Sequence, residues 1–231
     1  MKSIALVLVL MLGHSGPKQS PSANSPQAGG DLQAVLSEMD KSAALFKTAQ
    51  ANFEWDNYQK VVDETTKQNG IVYFRRSGND IEAMFKITSP APKEILYKHG
   101  ILQLYEQKID RITEHKAENQ SDVEAFLSLG FGARGHDLLK SYDVKMTGWE
   151  TLDNVKTARL ELVAKSEKVR NMFPKFVMWI DAARDVPLKL QVFAQAGDYW
   201  TSHYTDIKLS AKLPDSDFHL DTTAKTKKVT Q

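Results

Sequence analysis

The sequence predicts an α+β fold: a curved antiparallel sheet forming an incomplete β-barrel, covered by an N-terminal helix and a short helical lid. Three observations predict it. Between Ala51 and Lys116, and again from Asp143 to Leu209, apolar residues recur mostly with a period of two, in short runs separated by turn residues. One stretch, Asp31 to Lys47, shows instead the three-and-four spacing of a helix with a single apolar stripe. A second helical patch, Gln120 to Tyr142, interrupts the strands. A large antiparallel sheet cannot leave its apolar face in water, and two or three helices are too few to cover it flat. Curling the sheet and laying the helices over the open side satisfies both constraints.

The elements follow in order. Lys2 precedes the apolar run Ile4–Leu12, and Gly13 and Ser15 supply small residues for cleavage, so residues 1–16 read as a secretory signal peptide. The run is shorter than the about 20 residues a membrane-spanning helix needs. The Pro-, Ser- and Gly-rich stretch 17–30 reads as a disordered linker. In the first helix Leu32, Val35, Leu36, Met39, Ala43 and Phe46 form the stripe, with Asp31 as its N-cap. Ile71–Arg76 alternates as a strand, Ser77–Asp80 turns, and Ile81–Ile87 returns. Ile95-Leu96-Tyr97, the turn His99-Gly100 and Ile101–Tyr105 make the next hairpin. After the helical insert, which contains Val123, Phe126, Leu127, Leu138 and Leu139, five strands are expected. They cover Asp143–Trp149, Ala158–Ala164, Phe176–Asp181, Pro187–Ala194 and Tyr199–Leu209. One domain, 31–221, is expected, with 222–231 a flexible basic tail holding Lys225, Lys227 and Lys228.

Bulk composition excludes several function classes. The chain has 231 residues, 30 basic and 29 acidic, for a net charge of +1. That balance offers no electrostatic basis for a nucleic-acid partner. With no cysteine there is no disulfide, no thiolate nucleophile and no bacterial lipidation site. Gly130, Gly132 and Gly135 match G-x-G-x-x-G, but the residues before them are helical in pattern and the strand after them feeds hairpins. A dinucleotide turn needs a preceding strand and a parallel sheet. The glycines read better as a helix C-cap and a tight connector. The six histidines show no metal-binding spacing, and there is no G-x-S-x-G nucleophile elbow. No catalytic, cofactor-binding or metal-binding residue is expected, and the chain is expected not to be an enzyme.

Gly70 to Gln107 resembles the core of the LolA-type outer-membrane lipoprotein carriers. The counterparts of the family's motifs are Arg75-Arg76, Thr88-Ser89-Pro90, Ile95-Leu96-Tyr97, His99-Gly100 and Leu102-Gln103-Leu104-Tyr105. The leading helix, signal peptide, helical insert and Pro214–Leu220 also fit. Ser77 stands where the family has proline after its arginine, and His99 where it has aspartate. LolB-type acceptors and RseB-type sensors are related half-barrels. The resemblance implies a monomeric periplasmic shuttle for acylated lipoproteins or lipids, between an inner-membrane transporter and an outer-membrane acceptor. It also implies a lid latch at Arg76, with Arg75 the competitor for that role. Candidates for a hydrophobic cavity are Leu32, Val35, Leu36 and Met39 from the helix, and Phe126 and Leu138 from the insert. The strands offer Val72, Phe74, Phe85, Leu96, Leu102 and Leu104, then Met178, Leu188 and Leu190. Periodicity alone cannot separate a cavity lining from a solid core.

Overall fold

The structure, a computed structural model, describes residues 26–77, 80–116 and 129–230. Helix α1 (Pro26–Leu45) leads into β1 (Thr48–Gln59), β2 (Glu64–Ser77), β3 (Asp80–Ser89), β4 (Lys93–Lys98), β5 (Ile101–Glu106) and β6 (Arg111–Lys116). A loop at 129–134 and helix α2 (Gly135–Ser141) precede β7 (Tyr142–Leu152) and β8 (Val155–Ala164). Helix α3 (Glu167–Met172), β9 (Lys175–Asp181), β10 (Pro187–Phe193), β11 (Tyr199–Leu209) and β12 (Lys227–Thr230) complete the chain. Residues 1–16, read from the sequence as a signal peptide, lie outside the described residues, as do Val123, Phe126 and Leu127 of the insert.

Among the described residues the strands form one sheet in the order β12-β6-β5-β4-β3-β2-β1-β11-β10-β9-β8-β7. It is two antiparallel meanders, β1–β6 and β7–β11, joined where β1 pairs antiparallel with β11. The sheet does not close, and its two ends are β7 and β12. The expected incomplete barrel with few helices is what forms. The antiparallel setting also rules out the dinucleotide turn, whose glycines serve packing instead. Gly132 has φ +77°, and a Cβ there would lie 2.3 Å from the Phe46 ring; one at Gly135 would lie 2.3 Å from the Leu36 carbonyl oxygen.

Helix α1 lays Val35, Leu36, Met39 and Ala43 against the concave face. Its start at Pro26, five residues before Asp31, reaches back into the segment read as linker. Asp40 ties α1 to α2: its carboxylate accepts from the His136 backbone N–H at 3.1 Å and pairs with His136 Nδ1 at 2.5 Å. Burial works to raise the Asp40 pKa, but these hydrogen bonds outweigh it and hold it below the usual carboxylate value.

The convex face of β2–β6 is covered by the chain after β11. Phe218 is fully buried there against Met84 and Leu96, with Tyr73, Leu213 and Leu220 around them. Lys86 pairs with Asp221 at 2.9 Å, and buried Glu94 accepts the Asp221 backbone N–H at 2.7 Å. Thr223 and Thr226 donate to Asp110 at 2.7 and 2.6 Å. The segment read as a flexible basic tail then adds β12 parallel to β6, with Lys228 2.6 Å from Glu114. Composition misled there because a four-residue edge strand carries no apolar stripe. Backbone pairing and one ion pair hold it instead.

Candidate functional site

The concave face has two unequal halves. Over β7–β10, α1 and α2 fill it completely. Leu36, Leu138, Leu160, Leu162, Phe176 and Met178 are all 0% exposed, and Val35, Met39 and Leu190 belong to the same cluster with Leu32 packed against it. The cavity-lining candidates among them, Val35, Leu36, Met39, Leu138, Met178 and Leu190, are packed core, with Leu32 at its edge. Leu188 is also buried, on the face of β10 that carries Leu190. The helix stripe and the sheet face are both apolar and meet directly.

Over β1–β6 the described residues cover the face less fully. Val72, Phe74 and Phe53 are buried, Trp55, Phe85, Ile95 and Leu104 are half-buried, and Leu102 is 39% exposed. Register places Phe85 opposite Val72, Ile95 opposite Phe85, Leu104 opposite Ile95 and Leu102 opposite Tyr97, so all share the concave face. An aromatic chain crosses this half. Phe53 and Trp55 are 4.6 Å apart, Trp55 and Phe85 5.0 Å, Phe85 and Phe74 5.8 Å. Phe131, fully buried, extends it: its ring is 5.2 Å from Phe74 and 5.2 Å from Tyr204. Burial pushes the Tyr204 hydroxyl up to about 12, so it stays neutral.

The loop carrying Phe131 is held by Arg76. Adjacent strand residues point to opposite faces, and the two arginines divide accordingly. Arg76 stands on the concave side and donates from Nη2 to the Gly132 carbonyl at 2.8 Å, while its Nε is buried without a partner. Arg75 stands on the convex side. It pairs with Glu82 at 2.6 Å and with Asp215, and its guanidinium lies 4.1 Å over the Phe218 ring. A cleft of about 190 Å³ opens behind the loop, lined by Ala43, Phe46, Gly132 and Val186 among others.

Two further cavity candidates take different places. Leu96 lies on the convex face under Phe218, because it is out of phase with Ile95 and Tyr97. Phe126 is outside the described residues. Phe53, Trp55 and Phe131 were not among the candidates. Phe53 and Trp55 belong to β1, where NFEWD alternates large rings with polar residues, and that alternation was the available signal. Phe131 sits between glycines in a loop, and nothing in its neighbourhood marks it as a plug. Among the described residues no group of three or more His, Asp or Glu side chains could hold a metal ion, and no helix is long and apolar enough to cross a membrane.

A single open, mostly antiparallel sheet curled around helices makes the described chain an incomplete half-barrel. Of the solved structures with this fold, an uncharacterized conserved protein from Thermus thermophilus superposes with a TM-score of 0.56. The alignment has 10% identity and covers 87% of this chain and 99% of that one. MucB superposes with a TM-score of 0.50 at 14% identity, over 85% of this chain and 64% of MucB; it has also been solved in complex with MucA, from Pseudomonas aeruginosa. The chain thus spans less than two thirds of the length of MucB. A LolA superfamily protein from Nitrosomonas europaea aligns at 17% identity over 82% of this chain and 98% of that one, with a TM-score of 0.41. No family model matches the chain, and no curated protein matches it in sequence. At such identities the two likenesses with TM-scores of 0.50 and 0.56 establish the fold alone.

Proposed function

We propose that the chain is a periplasmic carrier. It takes acyl chains of lipoproteins or lipids onto the concave face of β1–β6, shields them in transit from the inner membrane, and releases them at the outer membrane. The observation that carries this reading is the graded exposure of that face, from buried Phe74 to 39% exposed Leu102. The other half of the same sheet is packed shut by helices. An acyl chain in water costs about 0.8 kcal/mol per methylene, so partial enclosure already favours uptake, and an incomplete cover keeps release possible. Arg76 serves as a latch. Its bond to the Gly132 carbonyl holds the Phe131 loop over one end of the face, and cargo that displaces the loop breaks that bond. The chemistry is binding and release, with no bond of the cargo changed.

Native mass spectrometry of protein purified from a periplasm tests this reading. Bound acylated protein or lipid is the expected result. Protein carrying only its own mass would contradict it, and turnover of an added lipid ester would make the chain an enzyme instead. The MucB likeness favours a second reading, a lipid sensor that signals through a partner. Copurification of an unacylated partner protein in place of cargo would select it.

A further inference from the structure

Trp55 carries an indole N–H that finds no acceptor among the described residues. The side chain stands on the concave face of β1 with Phe53 and Phe85 beside it, and Nε1 is buried without a hydrogen-bond partner. A buried donor left unpaired is destabilising, and native structures hold few of them. A phenylalanine would keep the ring contacts without that penalty.

The surroundings say what an acceptor would belong to. The in-register neighbours of Trp55 on the same face are Gln68 of β2 and Ser202 of β11. The next row toward the β1–β2 turn is Thr66, Asn57 and Trp200. Those two rows hold no charged side chain on β2, β1 or β11. In the opposite direction the face turns apolar through Phe53, Val72 and Phe74. From Trp55 to the Ala49–Phe74 pair is about 20 Å of strand. The face is therefore apolar over the length of a long acyl chain and polar but neutral at one end, with a free donor at the boundary.

We infer that Trp55 Nε1–H donates to the carbonyl oxygen of the ester or amide through which a fatty chain is attached. The linkage lies between Gln68 and Ser202, and the tail runs over Phe53 and Phe85 toward Arg76. A neutral carbonyl fits better than a free carboxylate, because no cation stands in either polar row. The inference rests on the carrier reading and adds to it the orientation of the cargo. The linkage occurs both in lipid-modified proteins and in glycerolipids, and the test separates these sources.

The full chain and Trp55→Phe are titrated with three ligands: a diacylglyceryl-cysteine peptide, a diacylglycerol, and pyrene, a hydrocarbon with no acceptor. Trp55→Phe is expected to weaken the ester ligands about three- to tenfold more than it weakens pyrene. A loss confined to the peptide names acylated proteins as the source, and one confined to diacylglycerol names lipid. Equal weakening of pyrene, or none for either ester, would overturn the inference. Wild type that binds pyrene but neither ester would overturn it while leaving apolar binding intact. Wild type that binds none of the three would remove the carrier reading as well. If the variant does not fold, the infrared carbonyl band of ¹³C-labelled diacylglycerol on wild type decides. A band shifted to lower frequency than in hydrocarbon solvent supports the donor, and an unshifted band refutes it.

Discussion

Two adjacent arginines show how much one residue's position decides. Arg75 and Arg76 differ by one step along β2, and that step puts one under the C-terminal segment and the other on the Gly132 carbonyl. The sequence marked the pair but not their faces, because alternation gives two classes and does not say which is concave. Arg76→Leu should change the uptake of an apolar fluorescent probe by about threefold or more and leave the far-ultraviolet circular dichroism unchanged. Wild-type probe binding in that variant would remove the latch. Gly132→Ala should be costly where the glycine pattern alone suggested a simple bend. Its positive φ and the Phe46 ring 2.3 Å from the added Cβ should together cost about 1–3 kcal/mol, read as a lower urea midpoint. The two kinds of concave leucine should also separate. Leu36→Ala, in the filled half, should lower stability by about 2–5 kcal/mol. Leu102→Ala, on the open half, should cost under about 1 kcal/mol and weaken acyl binding. Equal stability losses for the two would mean that the open half is ordinary core.

At the scale of elements, most strands were legible, since period-two runs bounded by turn residues fall within β2–β5 and β7–β11. Two kinds of element were not. Helix α3 is six residues, too short for helical periodicity to build, and strand β6, RITEHK, has a single apolar residue, Ile112, so no alternation shows. Strand β12 depends on contacts more than a hundred residues away in sequence, through Asp110 and Glu114. Its attachment should depend on pH. The Lys86 hydrogen bond lowers the Asp221 pKa, the Thr226 hydroxyl that of Asp110, and the Lys228 ammonium that of Glu114. A depressed carboxylate pKa stabilises the folded state above the ordinary carboxylate range, and that stability is lost as pH falls through the folded value. Glu94 works in the opposite sense, because burial raises its pKa and protonation relieves it as pH falls. With three lowered groups against one raised, residues 222–230 should lose amide protection, corrected for intrinsic exchange, below about pH 4 before α1 does. Simultaneous loss in both would show that the segment is not held by these carboxylates. Phe218→Ala should destabilise by about 3–5 kcal/mol, measured by denaturant unfolding, since its ring fills the space over Met84 and Leu96.

At the scale of the molecule, one sheet does two jobs. The β7–β10 half, filled by α1 and α2, supplies a packed core, and the β1–β6 half keeps an apolar face partly open. The incomplete barrel followed from the excess of strands over helices, so the architecture was legible. The division was not, because core and cavity linings share one apolar alphabet and only the placement of α1 decides which half is covered. Pairing of β1 with β11 was equally hidden, since it joins residues about 150 positions apart and no local turn announces it. The central claim is that acyl chains bind on the concave face of β1–β6. A lipopeptide with a photoactivatable diazirine near the middle of its acyl chain tests it most directly, by crosslinking and peptide mapping. Crosslinks to Phe53, Phe85, Ile95 or Leu104 are the expected result. Crosslinks confined to the convex face, or no specific crosslink at all, would contradict it.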